Sequence, residues 1–216
     1  MNRLLKILLI INTSIFIISL SIAFVILYRP LYYWNIDYLK IESTSGYKKI
    51  KIKEAYDDVM DYLIINKEFK TGSLKYTQDG MNHFRDCKKL FILDFVLLGI
   101  SSIVLLVKLK FFNNIKVLNC NIGFWSSLLI IVGFVLLITT IFIIGFDKSF
   151  EFFHKIFFLG KTNWILDPDT DEIVKILPKQ FFMNCGILIS ALVLIMCTIN
   201  ILRDVIRNNK TNNNTV

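Results

Sequence analysis

Four stretches of the chain are continuously apolar, roughly 4–27, 90–107, 122–146 and 181–202, and the segments between them are polar and charged. Each stretch is close to the ~20 residues that a helix needs to cross ~30 Å of hydrocarbon. Runs of this length predict helices, because a spanning segment must satisfy its own backbone N–H and C=O groups without water. The shortest run, 90–107, carries Asp94 about one turn inside its start. An acid at membrane depth is costly and points to function, unless it lies shallow enough to reach water or a lysine. The first run follows Arg3 and Lys6 and contains Ser21-Ile22-Ala23, so a cleaved signal peptide is the alternative reading there. Its apolar residues continue to Leu27, longer than a signal core, and the expectation is an uncleaved anchor.

The intervening segments carry their own patterns. Segment 28–34, Tyr-Arg-Pro-Leu-Tyr-Tyr-Trp, predicts an aromatic belt at the interface. Residues 36–41 and 47–52 alternate around Ser43-Thr44-Ser45-Gly46, which predicts a β-hairpin. Residues 54–66 place Ala55, Val59, Tyr62 and Leu63 at helical spacing, with Glu54, Asp57 and Asp58 in the first turn, where the helix dipole favours acids. Thr77 fits the N-cap of a helix that holds His83 and runs straight into the second span, with His83, Cys87, Leu90 and Asp94 on one face. A short helix is expected around His154, then a turn at Asp167-Pro168, and Pro178 suits the first turn of the fourth span. The predicted fold is an α-helical membrane protein, one membrane domain over 1–216. It has four transmembrane helices and a small α+β extracytoplasmic cap built from 28–89 and 147–180. No internal repeat supports a transporter of inverted halves.

Composition agrees: the chain has 216 residues, 55% of them hydrophobic, too apolar for a soluble domain of this size. A net charge of +8 in a soluble protein would suggest nucleic acid. Here the lysines of 29–89 are interleaved with acids and no arginine-rich face accompanies them, so no nucleic-acid partner is expected and the surplus suits anionic lipid head groups. The segments 1–6, 108–121 and 203–216 are basic and hold a single acid, Asp204, which predicts that both termini are cytoplasmic. The polar, Asn-rich tail 208–216 is expected to be irregular. The bias toward Ile, Lys, Asn and Phe suggests a low-GC bacterium. The four cysteines show no paired metal spacing; Cys87 and Cys185 either pair at the outer interface or are small apolar fillers.

The chain has two histidines, His83 and His154, each just outside an apolar run. If both runs meet the same membrane face, the imidazoles lie at one depth, where they can take and give protons near neutrality. Interfacial histidines also serve as plain amphipathic anchors. Asp86 follows His83 by three residues and Glu151 precedes His154 by three. The four side chains suit a nitrogen–oxygen metal site, an acid–base site, or ordinary helix-surface contacts. The Phe-rich segment 150–158 reads as packing against lipid or as the wall of an acyl slot. There is no Gly-x-Ser-x-Gly and no Gly-rich phosphate loop. Proton shuttling on a substrate that brings its own nucleophile fits best.

Several blocks, in order, carry a resemblance. They are Tyr56-Asp57-Asp58-Val59-Met60-Asp61-Tyr62-Leu63, His83-Phe84-Arg85-Asp86-Cys87-Lys88-Lys89-Leu90-Phe91 and Phe153-His154-Lys155-Ile156-Phe157-Phe158, followed by Trp164-Ile165-Leu166-Asp167-Pro168 and Leu177-Pro178-Lys179-Gln180-Phe181-Phe182. Together they resemble the lipoprotein intramolecular transacylases, integral membrane proteins of Gram-positive bacteria. The resemblance implies an enzyme that moves the sn-2 acyl chain of a diacylglyceryl lipoprotein onto the α-amine of its N-terminal cysteine, giving an N-acyl lyso product. It implies His83 and His154 as the acid–base pair in either order, with Asp86 and Glu151 in support; Asp94 is added as a supporting residue for its membrane depth, and the poor ligand spacing leads to the expectation of no metal or cofactor. The implied partners are the diacylglyceryl lipoprotein and membrane lipids, at the extracellular face of a bacterial cell membrane. Cys87 stands where an aliphatic residue is usual and Lys179 where an acid is expected, departures that touch neither histidine. The rival readings are a metal-dependent membrane hydrolase and a non-catalytic accessory or sensor protein.

Overall fold

Apolar residues at helical spacing dominate the chain, and helices form nearly all of its regular structure. The computed structural model describes residues 2–65, 67–111 and 121–213. In chain order the helices are α1 (Asn2–Leu27), α2 (Pro30–Tyr38), α3 (Ile41–Ser45), α4 (Lys49–Ile65), α5 (Gln78–Phe111), α6 (Ile122–Ile144), α7 (Phe146–Phe157), α8 (Ile173–Ile176) and α9 (Lys179–Asn213). Four of them, α1, α5, α6 and α9, are long and apolar enough to cross a membrane. Thr77 caps α5 as expected, accepting the Gly80 N–H at 3.1 Å. The helix then continues without a break from the polar turns around His83 into the apolar run. Most of the basic loop 108–121 and the end of the tail lie outside the described residues.

The chain divides into two units. The first takes residues 1–24, 94–139 and 188–216. Its small core is Ile17, Ile130, Val193 and Cys197. Small polar side chains tie its helices together: Asn12 Nδ2 donates to Ser101 O at 3.2 Å, Ser14 Oγ to Ser126 O at 3.4 Å and Ser127 Oγ to Cys197 O at 3.2 Å. Such residues let helix backbones approach closely where no hydrophobic drive separates protein from lipid. A Cβ on Gly123 would lie 2.9 Å from Asn200 O. Asp204 accepts the Phe124 N–H at 2.9 Å, satisfying one of the free donors that open α6. Large apolar side chains such as Ile103, Leu136 and Ile195 point outward, as lipid contact requires.

The second unit takes residues 25–93 and 140–187. α4 presents Ile52, Ala55, Tyr56, Val59, Met60 and Leu63 to its core, a stripe at the 3.6-residue period. Tyr32 and Tyr56 stack at 3.7 Å, Phe181 meets Tyr32 edge-on at 5.1 Å, and the Tyr32 hydroxyl donates to Ile176 O at 2.7 Å. Arg29 bridges Asp57 and Asp61 of α4, and Tyr33 OH donates to Asp57 at 2.6 Å.

The cap differs from the α+β expectation. Residues 36–41 and 47–52 do not pair as a hairpin; they belong largely to α2, α3 and α4, and among the described residues the sole β-type pairing is an isolated bridge between Thr71 and Ser73. The turn signal was real but served a helix. Gly46 adopts φ +75° and ends α3, the left-handed role that glycine fills without a Cβ clash. Ile50 is 82% exposed while Ile52 is fully buried. That short alternation is the start of the α4 stripe, and six residues cannot separate the two periods. Cys87 and Cys185 are free thiols, so they act as fillers rather than a disulfide. The tail, expected to be irregular, continues α9 as far as Asn213, because extending an existing helix needs no new nucleus.

Asp171 ties the start of α5 to the segment before α8: it accepts the Thr77 N–H at 2.8 Å and the Thr77 hydroxyl at 2.9 Å. A Cβ on Gly80 would fall 2.1 Å from Asp171 Oδ1. Gly80→Ala is therefore expected to destabilise the protein by about 1–3 kcal/mol, the cost of overpacking. Gly99→Ala, where a Cβ meets nothing, should be neutral in the same thermal-unfolding measurement in detergent.

Candidate active site

Both histidines lie in the second unit, on different elements. α5 supplies His83 from its polar first turns, which Arg85, Asp86, Lys88 and Lys89 separate from the apolar run beginning at Leu90. α7 supplies His154 from the face it shares with Phe150. The two rings stand 5.8 Å apart, inclined by 31°. They are 9% and 8% exposed. Aromatic rings enclose them: Phe158 is 5.0 Å from His83 and 5.6 Å from His154, and Phe150 and Trp164 flank His154 at 4.4 and 5.0 Å. The interfacial-anchor reading expects each ring to sit separately, with its polar tip in water; instead they form one buried pair.

Each ring has a defined hydrogen-bonding state on one side. His154 Nδ1 lies 2.7 Å from Phe150 O. A carbonyl only accepts, so Nδ1 carries the proton and the neutral ring keeps its lone pair on Nε2. His83 Nε2 lies 3.6 Å from Cys87 Sγ, and its buried Nδ1 has no partner among the described residues. Burial pushes the His83 pKa down to about 4, helped by the charge that His154 would carry and opposed by Asp86. Burial also lowers the His154 pKa, against the stabilising bond to Phe150 O. Both rings are thus neutral near pH 7, ready to accept a proton.

The carboxylates are placed differently from each other. Asp86, with a side chain only 7% exposed, does not bond His83 directly. It accepts Lys161 Nζ at 2.5 Å, Lys89 Nζ at 2.9 Å and Asn163 Nδ2 at 3.3 Å. Burial opposes its ionisation, but these three donors prevail and hold its carboxyl below the usual range. Asp86 therefore fastens the loop after α7 to the first turns of α5. The same loop is braced by the Trp164 indole N–H, which donates to Lys161 O at 3.0 Å. Glu151 turns away from His154 and pairs with Lys155 at 2.7 Å on the exposed side of α7. Asp94 belongs to the first unit, bonded by the Ser19 side chain and with a buried, unpartnered Oδ2. Among the described residues no group of three or more His, Cys, Asp or Glu side chains is arranged to hold a metal ion.

Beside the ring pair lies a cleft of about 290 Å³, lined by Asp86, Lys89, Leu90, Phe157, Phe158, Leu159 and Lys161. Its lining mixes the apolar Leu90, Phe157, Phe158 and Leu159 with the charged Asp86, Lys89 and Lys161, a surface suited to a lipid with a polar end. Phe157 and Phe158 of the Phe-rich segment are part of it; Phe152 and Phe153 are exposed. Sequence reasoning gave no role to Lys161 or Asn163, and Trp164 entered it only as the first residue of a block that carries the resemblance. The available signal was their position as polar and aromatic residues directly after the Phe-rich helix.

The family model described as "Lipoprotein intramolecular transacylase Lit" matches residues 7–182. The crystal structure of the membrane-integral lipoprotein intramolecular transacylase Lit from Bacillus cereus superposes with a TM-score of 0.85 at 26% identity, covering 98% of each chain. Two structures of the same protein with one histidine replaced also match. The arginine variant gives 0.75 at 25% identity, covering 98% of this chain and 95% of that one; the alanine variant gives 0.76 at 26%, covering 98% and 96%. No curated protein sequence matches the chain.

Because His83 titrates near 4 when folded and near 6.5 when unfolded, the unfolded chain binds the extra proton between these values. Stability therefore rises with pH across that window and is lost as the pH falls from 6.5 towards 4. Thermal unfolding of the wild type should show this loss, and His83→Gln should reduce it, leaving the part of the same sign that the lowered His154 contributes.

Proposed function

The chain belongs to the lipoprotein intramolecular transacylase family, Lit, and from that membership we propose that His83 and His154 carry an O-to-N acyl shift on a lipidated cysteine. The substrate is a lipoprotein whose N-terminal cysteine bears a diacylglyceryl thioether. The α-amine attacks the sn-2 ester carbonyl of the same molecule, the carbonyl–oxygen bond of the ester breaks, and the acyl chain ends as an amide on nitrogen. One proton leaves the amine and one reaches the glyceryl oxygen, so atoms balance within the substrate. The observation that carries this reading is the pairing of two buried, neutral imidazoles at 5.8 Å beside a half-apolar cleft.

The geometry favours His154 as the base. Its Nε2 holds the lone pair, and the Phe150 carbonyl supports the charge that follows proton uptake. His83, whose buried Nδ1 has no partner among the described residues, is suited to hydrogen-bonding the ester oxygen as it leaves, while the proton that His154 takes from the amine passes to that oxygen, so both rings end neutral. Holding amine and ester on one molecule removes the entropy cost of bringing them together. The amide is more stable than the ester, so the shift needs no nucleotide. The histidines are placed on the extracytoplasmic side of a bacterial cell membrane, with both termini cytoplasmic. This rests on the acid-poor basic segments flanking the spans.

His83→Ala and His154→Ala are each expected to lower turnover by about 10²–10⁴-fold while the protein still inserts. Mass spectrometry of a diacylglyceryl peptide should show its free amine lost at constant total mass. A gain of one acyl group dependent on added phospholipid would indicate an intermolecular acyltransferase, and loss of one an esterase. Full activity in either variant would overturn the role given to that histidine. For the orientation, a single cysteine placed at Lys110 in a background whose four native cysteines are replaced should resist labelling by a membrane-impermeant reagent in intact cells. Labelling from outside would reverse the topology.

A further inference from the structure

We infer that Asn163 binds the α-amine of the substrate, its side-chain oxygen accepting a hydrogen bond from the nitrogen that is to be acylated. The inference rests on the transacylase reading. Asn163 Nδ2 donates to Asp86 Oδ2 at 3.3 Å. A carboxylate only accepts, so this bond fixes which way round the amide sits: the nitrogen faces Asp86 and the oxygen faces away. That oxygen is buried and has no donor among the described residues. Buried acceptors in folded proteins are nearly always partnered, so an orphan held in one orientation marks a place for a donor from outside the chain.

The position fits that donor. The next residue, Trp164, packs its ring 5.0 Å from His154, and Asp86 lies three residues beyond His83 on α5. Asn163 is thus tethered to the elements that carry both imidazoles. Near the reacting ester the lipidated cysteine offers few donors: its ester and thioether groups only accept, and its α-amine is the strong donor. A neutral acceptor is also the right kind of group. A carboxylate would stabilise the ammonium and oppose its deprotonation, whereas an amide oxygen orients the amine and leaves it free to lose a proton to His154. Asp86 is the poorer acceptor for the amine, because Lys89, Lys161 and Asn163 already take most of its acceptor positions. Asp86 acts here as a positioning residue for the amide.

Two unreactive probes test this on the full chain in detergent. One is a diether analogue of the diacylglyceryl-cysteine peptide with a free amine, and the other is the same diether with hydrogen in place of the amine. Wild type should bind the amine probe about tenfold to a hundredfold more tightly. Asn163→Leu, or Asn163→Ala should the leucine variant fail to insert, should bring the amine probe down to the desamino value and leave desamino binding unchanged. Asp86→Ala should shrink the same gap. The inference is overturned by any of three results: no gap in wild type, a gap that survives in the Asn163 variant, or equal weakening of both probes, which would mark a structural role. Conversion of the diester peptide at constant mass by wild type is measured separately. Its absence alongside a gap that closes in the variant would sink the transacylase reading and leave the amine site standing.

Discussion

Two imidazoles buried 5.8 Å apart among aromatic rings are tolerable only while neither is charged. A lone cation there would lose its hydration, and a second would add repulsion at short range. The surroundings answer that constraint in distinct ways. His154 rests on a carbonyl that any α7 residue one turn earlier would supply, so its tautomer comes from helix geometry alone. His83 has no such support and is the more strongly depressed of the pair. A site of this kind moves protons quickly through a transient charge but does not store one.

Keeping the rings together requires that α5 and α7 stay in register, and Asp86 is the fastening. Its buried carboxylate gathers two lysines and an amide, taking one donor from α5 and two from the loop that follows α7. Each lysine is substantially exposed, so the Coulomb gain is screened, and the geometric constraint matters more than the energy. Glu151, at the mirror-image spacing from His154, makes an ordinary i,i+4 pair with Lys155 instead. Identical sequence offsets thus lead to a buried clamp in one case and a solvated surface pair in the other.

Helical packing supports this arrangement. The stripe Ile52-Ala55-Tyr56-Val59-Met60-Leu63 holds Tyr32, Phe181 and Ile176 in one core with Phe84, the residue next to His83. The Thr77–Asp171 bonds set where α5 begins. A cap built from short helices has no sheet edge to protect, and each of its elements instead needs a neighbour against which to bury one stripe.

The four long helices were legible in the sequence because in lipid every residue of a span must be apolar or internally bonded, which leaves an uninterrupted run. The α5 cap at Thr77, the helix through His83 and the pairing of interests between the only two histidines were legible for similar local reasons. The cap helices at 30–52 were not, since a few residues fit a period of 2 as well as one of 3.6, and Gly46 can end a helix as readily as turn a hairpin. Nor could spacing tell that Asp86 faces Lys161 and Asn163 across 75 and 77 residues, or that Cys87 and Cys185 remain apart. Those are long-range pairings. The residue types and the local helical geometry were set by the sequence read alone. Which carboxylate became a clamp, and which amide oxygen was left without a donor, depended on the packing of elements distant in the chain.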